Sequence, residues 1–209
     1  MLFKIGRKLS TSGAITSIYE IYNPPIAIKI LFFVIGFNIN DKKNNSSLSA
    51  GAKLCNALQE MGTTFIKLGQ FLATRPDIIG ENVSKELEKL QDKLPAFNLI
   101  VAKNILKKEL GKENFEQFTN ISEPAAAASI AQVHFANINI SGKKKDVAIK
   151  ILRPDIEKIF NEELDALMLL AYIAQSIVKK TKRLKLVEVV QLLREITNVE
   201  MDLRFEAAA

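Results

Sequence analysis

Val147-Ala148-Ile149-Lys150 decides how the chain is read. Val147, Ile149 and Ile151 point to one side of an extended segment, and Ala148, Lys150 and Leu152 to the other. A lysine set among small and apolar neighbours either serves as a cation for phosphate groups or stands on an edge strand with its ammonium in water. About fifty residues later Val189, Leu192, Ile196, Val199 and Leu203 alternate steps of three and four, and Glu206 continues that stripe. A carboxylate where the pattern asks for an apolar residue needs a partner, because an unpaired buried charge is prohibitive. Lys150 is the obvious partner. The competing reading is a solvated glutamate on a frayed helix end.

Working outward, the segments around this strand fall into two textures. Leu54, Leu58, Met61, Phe65, Leu68 and Leu72 form one apolar stripe, which predicts a single helix ended by Arg75-Pro76-Asp77. Further helices are expected over 81–93, stopped by Pro95, and over 99–110, with Gly111 as cap. Strand-like runs follow at 115–121, 130–140 and 146–152, with a turn at Ser141-Gly142. Helices over 156–179 and 186–208 complete the chain, separated by the basic stretch from Lys179 to Lys185. The expected class is α+β, a small antiparallel sheet with helices packed on it.

The 209 residues are 48% hydrophobic and 25% charged, a globular balance. One cysteine, Cys55, excludes an internal disulfide, and with one histidine, His134, a metal site of Cys or His ligands is not expected. The net charge of +6 favours an anionic partner such as nucleotide or lipid headgroups. No zinc-finger spacing or aromatic RNA-binding pattern is present, so nucleic acid is not an expected partner. The apolar run Ile30 to Ile35 is interrupted by Lys29 and closed by Asn38, well short of the ~20 residues of a spanning helix. Peripheral or core contact is the expectation there. The first nineteen residues, with Lys4, Arg7 and Lys8 and no acid before Tyr19, loosely resemble a mitochondrial presequence or an ordinary amphipathic helix.

Other residues carry less signal by themselves. Ala125-Ala126-Ala127-Ala128-Ser129, after Pro124, is expected as a loop between the first two strands. Alanine there keeps the backbone N–H groups that cradle phosphate and lacks the easy positive φ of glycine. The competing reading is a packing turn or one turn of helix. Lys67 and Gln70 lie one turn apart, opposite the apolar stripe of their helix, where any surface helix looks alike. Glu200 and Asp202 are equally plain, and His134 reads as a hydrogen-bonded structural histidine.

Taken in order, these segments resemble the UbiB family of atypical, protein-kinase-like ATPases that support ubiquinone biosynthesis. Phe65-Ile66-Lys67-Leu68-Gly69-Gln70 with Thr74-Arg75-Pro76-Asp77 is similar to the family's Lys-x-Gly-Gln helix. Leu90-Gln91-Asp92-Lys93 is similar to the segment after it, and Ala126 to His134 to the alanine-rich loop that replaces a kinase's glycine loop. Val147 to Lys150 with Arg153-Pro154-Asp155 resembles the nucleotide-lysine strand. Glu200-Met201-Asp202 resembles the Glu-x-Asp motif, and Glu206 falls at the position of the kinase helix glutamate.

The resemblance implies a helical N-terminal extension followed by the small lobe of a kinase-like fold, divided as 1–47, 48–112 and 113–209, with the large lobe absent. It implies ATP with Mg²⁺, held by Ala125 to Ser129, Lys150 and Glu206. Lys67, Gln70, Glu200 and Asp202 would restrain access to the nucleotide cleft. No catalytic-loop Asp or Asp-Phe-Gly metal ligand follows, since the sequence stops three residues after Glu206. Catalytic residues are therefore not expected in this chain, which is read as the ATP-binding half of such an enzyme, inactive alone. The expected partners are nucleotide, a membrane surface, quinone-pathway lipid or enzymes, and a separately encoded large lobe. The expected location is the cytoplasmic face of a bacterial inner membrane, with the mitochondrial matrix second. The alternative is a non-catalytic membrane- or partner-binding module from a truncated or split gene.

Overall fold

The structure is a computed structural model that describes residues 7–8, 11–22, 26, 48–90, 94–140, 142–177 and 179–208. The apolar run at Ile30 to Ile35 and most of the linker from Asp41 lie outside the described residues. Among the described residues no helix is long and apolar enough to cross a membrane. The class is α+β: helices together with one four-stranded antiparallel sheet.

The residues gather into two compact units, each made of two stretches of chain. One comprises 1–91 and 157–200, the other 92–156 and 201–209. The division expected from the sequence, at 47/48 and 112/113, is linear, whereas these units are discontinuous.

The helical unit contains α1 (Ala14–Tyr22), α2 (Ala50–Met61), α3 (Thr63–Ala73), the short α4 (Pro76–Ile79) and α5 (Glu81–Leu87). It also holds nearly all of α7 (Ile156–Ile177), a 3₁₀ turn (Lys179–Leu184) and α8 (Leu186–Met201). Ser49 starts α2 by accepting the Ala52 N–H, the usual service of a serine at a helix N-terminus. The stripe expected as one helix is two. Gly62 takes φ +97 between Met61 and Thr63, a conformation open to glycine and closed to a branched residue. Leu54, Leu58, Met61 and Phe65 are buried as expected, and Leu68 and Leu72 are partly buried against the same core. Pro76 opens α4 at its first turn, where a missing N–H is harmless.

Gly69 is the closest packing point of this unit. A Cβ there would lie 2.2 Å from Leu90 Cδ1 and 2.9 Å from Leu58 Cδ1, so α3 has its present depth only because position 69 has no side chain.

The stripe expected on α8 is the wrong one. Val189, Val190, Leu193, Thr197 and Met201 are buried, while Leu192, Ile196 and Val199 are 41%, 39% and 59% exposed. Thr197 occupies a core position because its hydroxyl donates to Leu193 O at 2.7 Å, which removes the cost of burying it. The helix also stops at Met201, so Glu206 belongs to a separate short helix, α9 (Leu203–Ala208), and does not extend the α8 face.

The sheet unit contains α6 (Leu99–Phe115), β1 (Phe118–Thr119), β2 (Pro124–Ala127), β3 (Ala131–Ile140), β4 (Lys143–Leu152) and α9. Gly111 interrupts α6 at φ +76, at the place where a cap was expected. β3 pairs antiparallel with β4 along its full length, and with the shorter β1 and β2 on its other edge. Its register opposes Gln132 to Ile151, His134 to Ile149 and Ala136 to Val147, which places these residues on one face. That face is closed: Ile149 and Ile151 pack with Ala102, Ile105 and Leu106 of α6. The opposite face carries Val133, Phe135, Ala148 and Lys150 and is open, with Phe135 60% exposed.

Candidate functional site

The closed face is held by a buried polar chain. Gln132 Oε1 accepts the Phe97 N–H at 2.9 Å, and its Nε2 donates to Phe97 O and to His134 Nε2 at 3.0 and 2.8 Å. His134 Nδ1 lies 2.8 Å from Ser122 O, which only accepts, so the proton sits on Nδ1 and the ring is a neutral structural group. The expectation for His134 agrees with this geometry.

The open face presents Lys150. Ala126, Val133 and Lys150 stand opposite one another on three adjacent strands, so they share a row, with ~10 Å between the outer two backbones. Lys150 Nζ donates to Glu206 Oε2. The two residues that looked like costly buried charges are thus paired, but not buried. Their side chains are 33% and 61% exposed, so the pair contributes about 0.2–1 kcal/mol to stability. What it does contribute is an orientation, an ammonium held over the open face beside the alanine row. The face continues into a depression of about 450 Å³ floored by Phe135 and Ala148 and edged by Asn137 and Asp146.

The alanine-rich segment departs from its expected form. Ala125, Ala126 and Ala127 lie on strand β2, not in a loop, and only Ala128, Ser129 and Ile130 form the turn into β3. Pairing of Ala126 with Val133 and Ala127 with Gln132 overrides the helix preference of alanine. Ala128 N–H donates to Ala131 O at 2.8 Å and is committed inside the turn. Ser129 is fully buried, while Ala125 and Ala126 are exposed.

In the helical unit, Lys67 Nζ of α3 lies 3.0 Å from Glu200 Oε2 near the end of α8, with the lysine side chain 15% exposed. Gln70 follows one turn on and is half-buried. Asp202 joins neither pair. Its carboxylate accepts the Arg204 backbone N–H at 3.1 Å and grips the Arg204 guanidinium through both oxygens. Those bonds hold the Asp202 carboxyl below the usual carboxylate range. Among the described residues, no group of three or more His, Cys, Asp or Glu is placed to hold a metal. Lys150 supplies the ammonium of this row, and neither it nor the alanines carry an oxygen ligand side chain for Mg²⁺.

Arg153 enters the sequence reading only within the Arg153-Pro154-Asp155 segment that follows the lysine strand, and in the structure its guanidinium reaches back to donate to Ala128 O at 2.7 Å.

A sequence profile described as the ABC1 atypical kinase-like domain matches residues 89–209. The chain belongs to this ABC1 atypical kinase-like family. Curated relatives carry the name "Probable protein kinase UbiB". The Marinobacter nauticus protein is 37% identical over 185 residues, covering 88% of this chain and 33% of the relative. The Pseudomonas fluorescens protein is 38% identical over 162 residues, 77% of this chain and 30% of the relative. The Vibrio atlanticus protein is 36% identical over 186 residues, 88% of this chain and 32% of the relative. The chain thus spans about a third of the length of the curated relatives it matches. No solved structure matches. The ABC1 match takes in the alanine row, Lys150, Glu200 and Glu206. Lys67 and Gln70 precede it and fall within the helical unit.

Proposed function

We propose that this chain supplies the nucleotide-binding part of a UbiB-type atypical kinase or ATPase that supports ubiquinone biosynthesis. The observation that supports it best is the Lys150–Glu206 pair on the open sheet face, in register with Ala126 and Val133. Glu206 turns the Lys150 ammonium toward the place where a phosphate would lie, which an unrestrained lysine side chain would have to do at an entropic cost. Val133, Phe135 and Ala148 offer an apolar floor for a nucleobase. ATP brings the transferable phosphoryl group, and Mg²⁺ would neutralise its charge with ligands from outside the described residues. The Lys67–Glu200 pair, with Gln70 beside it, acts in this reading as the restraint that disfavours protein substrates.

Purified chain is titrated with a fluorescent adenine nucleotide, mant-ADP, beside a Lys150→Ala variant. Saturable binding weakened about tenfold or more by the substitution is expected, the loss of one strong charge-assisted contact. Equal binding by both proteins would remove the nucleotide reading. The pathway assignment is tested separately by ubiquinone content in cells lacking this chain, where an unchanged level would sink it.

A second reading, a membrane- or partner-binding module, is favoured by the exposed Leu192, Ile196 and Val199 on α8 and the exposed Lys182, Arg183 and Lys185 before it. It places the protein peripherally on an anionic membrane such as the cytoplasmic face of a bacterial inner membrane. Cosedimentation with anionic vesicles that high salt abolishes, without nucleotide binding, would favour it over the first.

A further inference from the structure

The turn that follows the alanine strand is gripped by one side chain. Arg153 Nε and Nη2 both donate to Ala128 O, at 3.1 and 2.7 Å. Nη1 donates to Pro95 O at 3.0 Å, and Nη2 also reaches Leu94 O at 3.3 Å. Its backbone N–H donates to Ile130 O at 2.9 Å. The carbonyls on either side of Ser129 are therefore both held by Arg153, while Ala128 N–H closes the turn on Ala131 O.

This residue lies three positions after Lys150, just beyond the end of β4. The strand that carries the lysine therefore also fixes the turn, and the same guanidinium ties both to the segment at Leu94 and Pro95 that leads into α6. A planar fork is needed for carbonyls lying in different directions. A lysine at this position presents a single ammonium and cannot span all three.

We propose that Arg153 is a positioning residue for nucleotide binding: it touches no nucleotide and sets where the Ala128–Ile130 turn sits relative to Lys150. The proposal rests on the nucleotide reading above. The turn Ala128-Ser129-Ile130 has no glycine and so lacks its φ freedom, and this clamp restrains it further. Releasing it lets the phosphate-facing end of β2 drift, and the ordering that is now built in must then be supplied on binding.

The test uses the whole 209-residue chain, its Arg153→Lys and Arg153→Ala variants, and Lys150→Ala as reference. Amide exchange over 126–131, thermal melting and mant-ADP affinity are measured on each. In Arg153→Lys, faster exchange confined to the turn and about fivefold weaker binding are expected, the weight of one such hydrogen bond. The melting temperature should fall less in Arg153→Lys than in Arg153→Ala, because the lysine keeps one carbonyl contact. Added ethylguanidinium should restore binding to Arg153→Ala and leave Lys150→Ala unrestored. Parent-like affinity in Arg153→Lys, while Lys150→Ala loses binding, overturns the positioning role alone. Faster exchange without loss of affinity makes the clamp structural and overturns it too. A parent that binds no mant-ADP removes the nucleotide reading, and this proposal with it.

Discussion

Two lysine–glutamate pairs are built by opposite means. In the helical unit, Lys67 reaches Glu200 from a helix seated by apolar packing, where Gly69 accepts Leu90 and Leu58 against its backbone and Phe65 is fully buried. In the sheet unit Ala102, Leu106 and Ile151 form a buried cluster with Phe97, Ile105 and Ile149 packed against it. There, hydrogen bonds do the aligning, through Gln132, His134 and Arg153. Packing tolerates small displacements at a graded cost, whereas a buried hydrogen-bond chain tolerates none without leaving an unsatisfied group. The two pairs should therefore respond to different classes of substitution.

The largest effect is expected from Phe65→Ala. Emptying that fully buried site should cost about 3–5 kcal/mol in chemical denaturation. If the units are energetically separate, amide exchange in β3 and β4 should change far less than in α2 and α3. Equal loss in both would break the distinction. Next comes His134→Leu, of similar volume but without ring nitrogens. It strands a Gln132 N–H and the Ser122 carbonyl, and about 1–3 kcal/mol should be lost, read as faster exchange in the sheet with α3 protected. A neutral result would mean that the polar chain is replaceable by packing, as in the other unit.

The smallest effect concerns pH. Asp202 is held below the ordinary carboxylate range by Arg204, so its contribution is complete above the unfolded value near ~3.9. It fades as pH falls through the lower folded value. Comparing Asp202→Asn with the parent between pH 7 and 5 should therefore give a constant difference in melting temperature, one that narrows only in more acid solution. A difference that changes between pH 7 and 5 would show that another group titrates with it.

Much of this was legible before any coordinates. Strand alternation alone put Lys150 on the face opposite Ile149 and Ile151, because period two leaves no other choice. Glu206 was singled out by a helical stripe that the structure does not bury, and the UbiB resemblance gave it and Lys67 a role. What misled was helical periodicity. Leu192, Ile196 and Val199 are as regular as the buried row and more apolar than Thr197, and a threonine's bond to its own helix backbone is invisible in a hydropathy pattern. The break at Gly62 was hidden for a related reason, since the apolar steps run through it without losing phase. Ala125 to Ala127 gave no alternation at all, and only the β3 partner makes them a strand.

The discontinuity of the helical unit has a bearing on synthesis. Leu54, Leu58 and Phe65 leave the ribosome early, but Ala166 and Val189, which close the same core, lie beyond the whole of residues 92–156. At ~5–20 residues per second the early helices wait some seconds with part of their apolar surface uncovered. Through that interval the uncovered apolar surface is open to off-pathway association. Inserting a slow-translating stretch between Asp92 and Ile156 should lower soluble yield more than the same insertion after Val189.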